Sequence, residues 1–373
     1  MKKLALILCM ILVLSLLGMT GCSNGDKTLA ADAPQGKQTP TADKLKVALL
    51  IPGSLGDKSF FDSANAGLEL VKDQLGAETK VIEMGIDSTK WEPTFIDISE
   101  GDWDIIISGN DTTELMNSLA AEYPDKRYIN FDTFIEETPA NVYSMFYSTN
   151  EVSYLAGALA GLVTKSDMEL ANKENIIGFL GGMDIPGIND FLIGYIEGAK
   201  SVNPDVKVLV SYAGSFTDPA KGKELALVQY NSGVDVSFNV AGGTGLGLMD
   251  AAKDKNAYAI GVDSDQAMLF KASDPEKAAH IVSSAVKRID QSIFNAVKAH
   301  ADGTLEYGVH DEIGVAQGGV GLAKNEYYEK LPQDIKDKIS EIEKKMVNGE
   351  VKVGTAFGES TDKINALRES VKP

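Results

Sequence analysis

Cysteine is nearly absent from this chain: there are two in 373 residues, Cys9 and Cys22. Cys9 falls inside an apolar leader, so the mature protein keeps a single thiol and can form no internal disulfide. A chain of this length needs none, because it can bury an adequate core. Histidine is scarce as well, and His280, His300 and His310 follow no metal-ligand spacing. No G-x-S-x-G elbow is present. No Gly-Lys-Ser/Thr phosphate loop occurs either, and the glycines of Gly242–Gly247 do not space as G-x-G-x-x-G, so nucleotide-phosphate chemistry is poorly supported. Positive charge is also in deficit, with 35 Lys and Arg against 54 Asp and Glu and a formal net charge of −19. Losing Lys2 and Lys3 with the leader makes the mature chain more acidic still. This balance argues against nucleic acid or anionic lipid as a partner of the body of the protein.

The first 22 residues say where the chain works. Lys2-Lys3 precede an apolar run from Leu4 to Leu17, then Gly18-Met19-Thr20-Gly21 and Cys22. A basic start, a short apolar core and small residues before the cut describe a secretory signal, too short for a comfortable membrane span. Small residues before a cysteine form a lipobox, with Met19 where Leu is usual. On that reading 1–21 is removed and Cys22 is the acylated N-terminus, anchored to the cell membrane on its extracytoplasmic face. An ordinary cleaved signal or an uncleaved anchor are the alternatives. Residues 22–44 hold little that could pack and read as a flexible tether.

From Leu45 onward short β-rich runs alternate with helical patterns. The strand candidates are Lys46–Ile51, Lys80–Met84, Trp103–Ser108, Arg127–Phe131, Val142–Phe146, Ile176–Leu180, Lys207–Ser211, Val234–Asn239 and Tyr258–Val262. Between them lie helices such as Ser63–Gln74, Thr113–Glu122, Tyr154–Val163, Gly187–Ser201, Lys221–Tyr230 and Leu246–Ala252. This alternation predicts an α/β fold of parallel sheets covered on both faces. The strands are too many for one small sheet. One Rossmann-like lobe is expected over 45–148, completed by about 280–310, and a second over 149–279, completed by about 311–373. The stretch after Asp265 reads as polar, followed by a strand His280–Ser284 and a helix Ala285–Ala301. Tyr327–Val347 is expected as one amphipathic helix carrying Leu331, Ile335, Ile339, Ile342 and Met346, and these last elements as crossovers closing the lobes together.

In open parallel sheets ligands bind beyond the carboxyl ends of the strands. The loops there hold Asp57, Phe60 and Phe61 after the first strand, and Asn110 and Asp111 after Trp103–Ser108. Gly181–Asp184, Phe216, Gly243 and Asp263–Gln266 follow later strands. Asp57, Asp111, Asp218 and Ser63 are good helix N-caps, which alone would account for them. Phe60 and Phe216 are large aromatics in polar, glycine-bearing loops and suit the faces of a flat ligand. Asp263 and Asp265 would point to opposite faces of a strand, so joint acid/base work is not expected of them. The pattern is that of a binding site without catalytic residues, metal or cofactor.

Asp57-Lys58-Ser59-Phe60, Asn150 to Gly157, Gly181-Gly182-Met183-Asp184-Ile185-Pro186, Gly214-Ser215-Phe216, Ala241 to Gly245 and Ile260 to Gln266 together resemble the basic membrane protein family. These are lipoprotein substrate-binding components of ABC importers, related to the purine nucleoside receptor lipoproteins. The resemblance implies a type I periplasmic-binding fold, two lobes joined by a three-stranded hinge, closing on a nucleoside and delivering it to permease and ATPase subunits. It further implies that Phe60 and Phe216 sandwich the base, that Asp263 and Lys287 hold the ribose, and that Gly243 lets the backbone approach. A monomer is expected. Where many relatives read Asp-Asp-Lys-Ser-Phe-Asn, this chain reads Gly56-Asp57-Lys58-Ser59-Phe60-Phe61, which removes an amide suited to a base edge and leaves Asn110 or Asp111 to supply polar contacts. Other occupants are a non-purine nucleoside or a sugar. Other roles are a surface sensor of the same fold or an exported hydrolase, the last lacking the base or metal cluster it would need.

Overall fold

The computed structural model describes residues 44–373; the leader, Cys22 and all but the last residue of the tether lie outside them. Twelve strands form two sheets. They are β1 (Lys46–Ile51), β2 (Glu78–Glu83), β3 (Ile105–Gly109), β4 (Arg127–Phe131), β5 (Val142–Tyr147), β6 (Ile176–Gly181), β7 (Lys207–Tyr212), β8 (Val234–Val240), β9 (Tyr258–Asp263), β10 (Ile281–Lys287), β11 (Val309–Ile313) and β12 (Val320–Leu322). One sheet runs β11-β5-β4-β3-β1-β2 and the other β12-β10-β9-β8-β6-β7. Every pairing is parallel except β10 with β12. The central strands β3, β8 and β9 are buried along their whole length, as helices on both faces of a parallel sheet require. Edge strand β2, Glu-Thr-Lys-Val-Ile-Glu, is the more polar and exposed, which protects an open edge. Among the described residues no helix is long and apolar enough to cross a membrane.

The chain passes between the lobes three times. It leaves the first sheet after β5 and enters the helix Thr149–Val163, which packs on the second-lobe helix Pro186–Val202. It returns after β10 into the helix Ile289–Ala301, which packs on the first-lobe helix Phe60–Leu75, and it leaves again between β11 and β12. The crossings are tied to one another, Ser148 N to Ile313 O at 3.2 Å and Arg288 N to Gly319 O at 2.9 Å. Three adjacent, hydrogen-bonded connections constitute the hinge of the expected fold.

Two local expectations are corrected. Ala285-Val286-Lys287 belong to strand β10, paired with Val262 and Asp263 of β9, and the helix begins only at Ile289. A three-residue apolar–polar run fits either period; burial of Ala285 between β9 and β12 decides for the strand. Residues 281–287 thus belong to the second lobe, and only the part after the crossing completes the first. The tail helix starts at Gln333, because Pro332 sits in an extended conformation and ends the preceding turn, Tyr328–Lys330. Its apolar stripe is buried as expected, but against Thr149–Val163, so it covers the second lobe and is not a crossover. The polar stretch after Asp265 folds as two short helices, Gln266–Lys271 and Pro275–His280, capped by Asp265 on Met268 N and Asp274 on Lys277 N.

Helices Thr149–Val163 and Pro186–Val202 meet backbone to backbone through glycine. A β-carbon at Gly157 would lie 2.0 Å from Tyr195 O, at Gly194 2.1 Å from Asn150 O, and at Gly198 1.9 Å from Tyr154 O. The stretch Asn150–Gly157 therefore serves packing beside the hinge. Gly198→Ala should destabilise the protein by about 1–3 kcal/mol, since the neighbour in the way is backbone and cannot yield without moving a helix. Urea denaturation checks this; an unchanged midpoint would show that the two helices part freely.

Candidate functional site

The carboxyl ends of the two sheets face each other across a cavity of about 900 Å³. The first lobe contributes Asp57, Phe60 and Phe61 after β1, Asn110 and Asp111 after β3, and Asp132 and Phe134 after β4. The second contributes Met183 and Ile185 after β6, Phe216 after β7, Gly243 after β8, Asp263 at the end of β9 and Lys287 at the end of β10. All eight residues expected at a binding site, Asp57, Phe60, Asn110, Asp111, Phe216, Gly243, Asp263 and Lys287, line this one space. Four non-glycine residues at these strand ends hold left-handed backbone: Lys58 (φ 49°), Asn110 (52°), Asp132 (57°) and Asp263 (61°). Asn and Asp adopt it most readily among side-chain-bearing residues, and such conformations concentrate where loops are shaped for a ligand.

A buried charge cluster forms the floor. Lys287 Nζ lies 2.7 Å from Asp132 Oδ2 and 3.3 Å from Asp263 Oδ1. Asp263 Oδ2 accepts from Ser59 Oγ at 2.5 Å. The side chains of Lys287, Asp132 and Asp263 are 5%, 12% and 8% exposed, so the charges answer to one another and little to bulk water. Burial works to lower the Lys287 ammonium, but the two carboxylates outweigh it and hold it above its ordinary value. Burial raises the Asp132 carboxyl, only partly offset by the ammonium it shares with Asp263. The same ammonium sits 4.7 Å from the Phe60 ring centre and 5.6 Å from that of Phe191, cation–π distances.

Glycines seat the aromatic walls. Phe61 packs over Gly53, where a β-carbon would stand 2.5 Å from its ring, and meets Phe60 edge to face at 5.3 Å. Phe216 packs over Gly182, where a β-carbon would stand 2.3 Å away, and keeps 37% of its surface exposed. At Gly243 a β-carbon would lie 3.2 Å from Phe216 O and 3.7 Å from Asp57 Cβ, so the two lobes' loops meet there. Other bonds close the cleft: Ser264 Oγ donates to Ser59 O and Gln266 Nε2 to Lys58 O, both at 3.1 Å.

Several carboxylates are structural. Asp57 accepts from the backbone N–H of Ser59 (3.0 Å), Phe61 (2.9 Å) and Asp62 (3.1 Å), organising the start of the helix Phe60–Leu75. Burial nonetheless pushes its pKa up to about 6. Asp218 caps through Lys221 N, as expected, whereas Ser63 lies inside its helix and caps nothing. Asp265 bonds Met268 N and Asn325 and takes no part with Asp263. Asp184 pairs bidentately with Arg368 at 2.6 and 2.9 Å, which holds its carboxyl below the usual range. Asp132, Ser59, Phe134 and Phe357 were not expected here. Applying the strand-end rule to the loop after β4 would have found Asp132; Phe357 carries no local signal.

Lys287→Met should cost about 3–5 kcal/mol at neutral pH, because it strands two buried carboxylates. The loss should shrink as pH falls toward about 4. Burial already raises the Asp132 carboxyl, and without the ammonium it keeps its proton in the folded state at pH values where the unfolded chain releases it, so lowering pH restores stability to the folded variant. Thermal denaturation of both proteins across that range is the check; an equal loss at both ends would mean that water reaches the carboxylates.

A family described as ABC transporter substrate-binding protein PnrA-like matches residues 44–356. The CD4+ T-cell-stimulating antigen of Listeria innocua is 29% identical over 375 residues, covering 95% of this chain and 99% of its own length. The ABC transporter nucleoside-binding protein BmpA of Lactococcus lactis is 29% identical over 368 residues, with the same coverage of 95% and 99%. Among solved structures, a solute-binding protein of an ABC transporter system from Aeropyrum pernix superposes with a TM-score of 0.77 at 27% identity, covering 88% of this chain and 97% of that one. The chain belongs to the PnrA-like family of ABC transporter substrate-binding proteins, so it is an extracytoplasmic binding protein and not an enzyme, working with permease and ATPase subunits.

Proposed function

We propose that the cleft binds a nucleoside, a purine nucleoside first, and that the mature chain is moored to the membrane by a lipid on Cys22. The observation that carries the ligand reading is the Lys287–Asp132–Asp263 cluster lying directly beneath Phe60. Vicinal hydroxyls want a carboxylate to accept and an ammonium to donate, and a flat base wants aromatic faces. Lys287 has three N–H donors and spends two on carboxylates, which leaves one for a ribose oxygen. Phe60 and Phe216 take the faces of the base, Gly243 admits the backbone close to it, and Asn110 and Asp111 supply polar contacts on the first-lobe wall. Asp57 shapes the loop that carries Phe60. The relative from Lactococcus lactis named as nucleoside-binding supports the same assignment. One chain supplies every wall of the cavity, so a single copy suffices.

Two carboxylates against one ammonium leave the floor negative. A phosphorylated nucleoside brings further negative charge into that space and is disfavoured. Inosine, guanosine, adenosine, cytidine and uridine, with their monophosphates, should therefore separate in a thermal-shift series. At least one nucleoside should raise the melting temperature, as any ligand selective for the folded state must, and the monophosphates should not. No shift with any nucleoside at millimolar levels would sink the ligand reading. Equal shifts with the monophosphates would overturn the charge argument. Phe216→Ala and Asp263→Asn should each weaken binding about 10- to 100-fold without unfolding the protein. For the anchor, Cys22→Ala should abolish incorporation of labelled fatty acid into the protein; continued incorporation would refute lipidation at Cys22.

A further inference from the structure

The family match ends at residue 356, and the next residue is Phe357, whose ring lines the cavity. Two moorings hold the segment around it to the second lobe. The first is Asp190, 1% exposed, whose carboxylate accepts from Thr149 Oγ1 (2.9 Å), Asn150 N (3.1 Å), Thr355 Oγ1 (2.6 Å) and Ala356 N (2.9 Å). It fixes residues 355–356 to the helix pair beside the hinge. The second is Arg368 on the terminal helix Thr361–Val371. Besides its bidentate pair with Asp184, its Nη2 reaches Asn189 Oδ1 at 2.8 Å and Tyr212 OH at 2.9 Å. Arg368 thus ties the tail to the loop carrying Met183 and Ile185, which also line the cavity.

Phe357, held between these moorings, meets the other lobe. Its ring stacks on Phe134, after β4, at 5.0 Å and 22°, and meets Phe146 of β5 edge-on at 5.3 Å and 85°. Phe134 is 55% exposed, and the rings beside it are those of Phe357, Phe146 and His310. Because the two stacked rings belong to different lobes, every change of interlobe angle changes their overlap. We propose that the segment Phe357–Val371 is a strap belonging to the binding site, and that Phe357 and Phe134 are affinity-determining positioning residues which favour the closed cleft. The assignment rests on the cleft being the ligand site, and not on which solute fills it. A ligand that binds the closed form has an apparent affinity set by the closed fraction, so loosening the stack weakens binding without removing a ligand contact.

The test is a double-mutant cycle on the full chain with Phe357→Ala, Phe134→Ala and both. It is read by the dissociation constant of whichever nucleoside shifts the wild type, and by the radius of gyration of the ligand-free protein from small-angle scattering. Each single substitution should weaken binding about three- to tenfold and expand the ligand-free protein, with its melting temperature little changed. The double variant should be no worse than either single one, and Phe357→Tyr should restore affinity. Additive losses would mean that each ring touches the ligand independently, and unchanged affinity with unchanged dimensions would mean that the stack bears on nothing; either overturns the strap. If no nucleoside binds the wild type, the ligand reading fails by itself and the scattering series still decides the strap: expansion in both single variants supports it, and no expansion refutes it.

Discussion

The placing of one ammonium between two buried carboxylates governs the rest of this molecule. Lys287 ends a second-lobe strand, Asp132 follows a first-lobe strand, and Asp263 lies beside Lys287 on the neighbouring strand. A lysine so far from water is tolerable only with carboxylates at hydrogen-bond distance, and one of them must come from the opposite lobe. The charge cluster therefore ties electrostatics to closure. Opening the cleft returns these groups to solvent, which costs little, and closing it without good geometry would cost several kcal/mol. The left-handed backbone at Asp132 and Asp263 is the local concession that aims both carboxylates at the same nitrogen.

Around this floor two of the aromatic walls are each seated on a glycine. Phe61 needs Gly53, and Phe216 needs Gly182, because a single β-carbon at either glycine would occupy the ring's place. Asp57 then holds the Phe60–Phe61 turn through three backbone N–H groups, the helix-start role that its position in the sequence already suggests. The Gly-Gly-Met-Asp-Ile-Pro run divides similarly: one glycine seats Phe216, Met183 and Ile185 face the cavity, and Asp184 faces away to Arg368.

Much of this is legible in the sequence alone. The alternation of apolar runs and amphipathic helices is a local signal, and it located nine strands to within a few residues. The strand-end rule then put Asp57, Phe60, Asn110, Asp111, Phe216, Gly243 and Asp263 on one cavity, and the family resemblance added Lys287. What escaped was set by distant partners. Strand β12 has three residues and exists because β10 offers it an edge, and Ala285–Lys287 are strand because β9 pairs with them. Asp132 directly follows β4, so its position marks it as a candidate, but that it meets Lys287 is set by the opposite lobe. Phe357 lies in a tail whose position depends on Asp190, more than 160 residues earlier.

Apart from the Lys287–Asp132 pair, the contacts that cross the cleft are individually modest: a hydroxyl on a carboxylate, a hydroxyl and an amide on backbone carbonyls, and a ring on a ring. Each contributes on the order of 1 kcal/mol net, a scale that the binding energy of a solute can match. That is the condition a transport receptor needs. Were the empty cleft firmly shut, a permease could not tell loaded from unloaded protein, and were closure strongly opposed, the ligand's affinity would be consumed in driving it. The buried ion cluster supplies the steep dependence on geometry, and the weak lateral contacts set the equilibrium on which a bound solute can act.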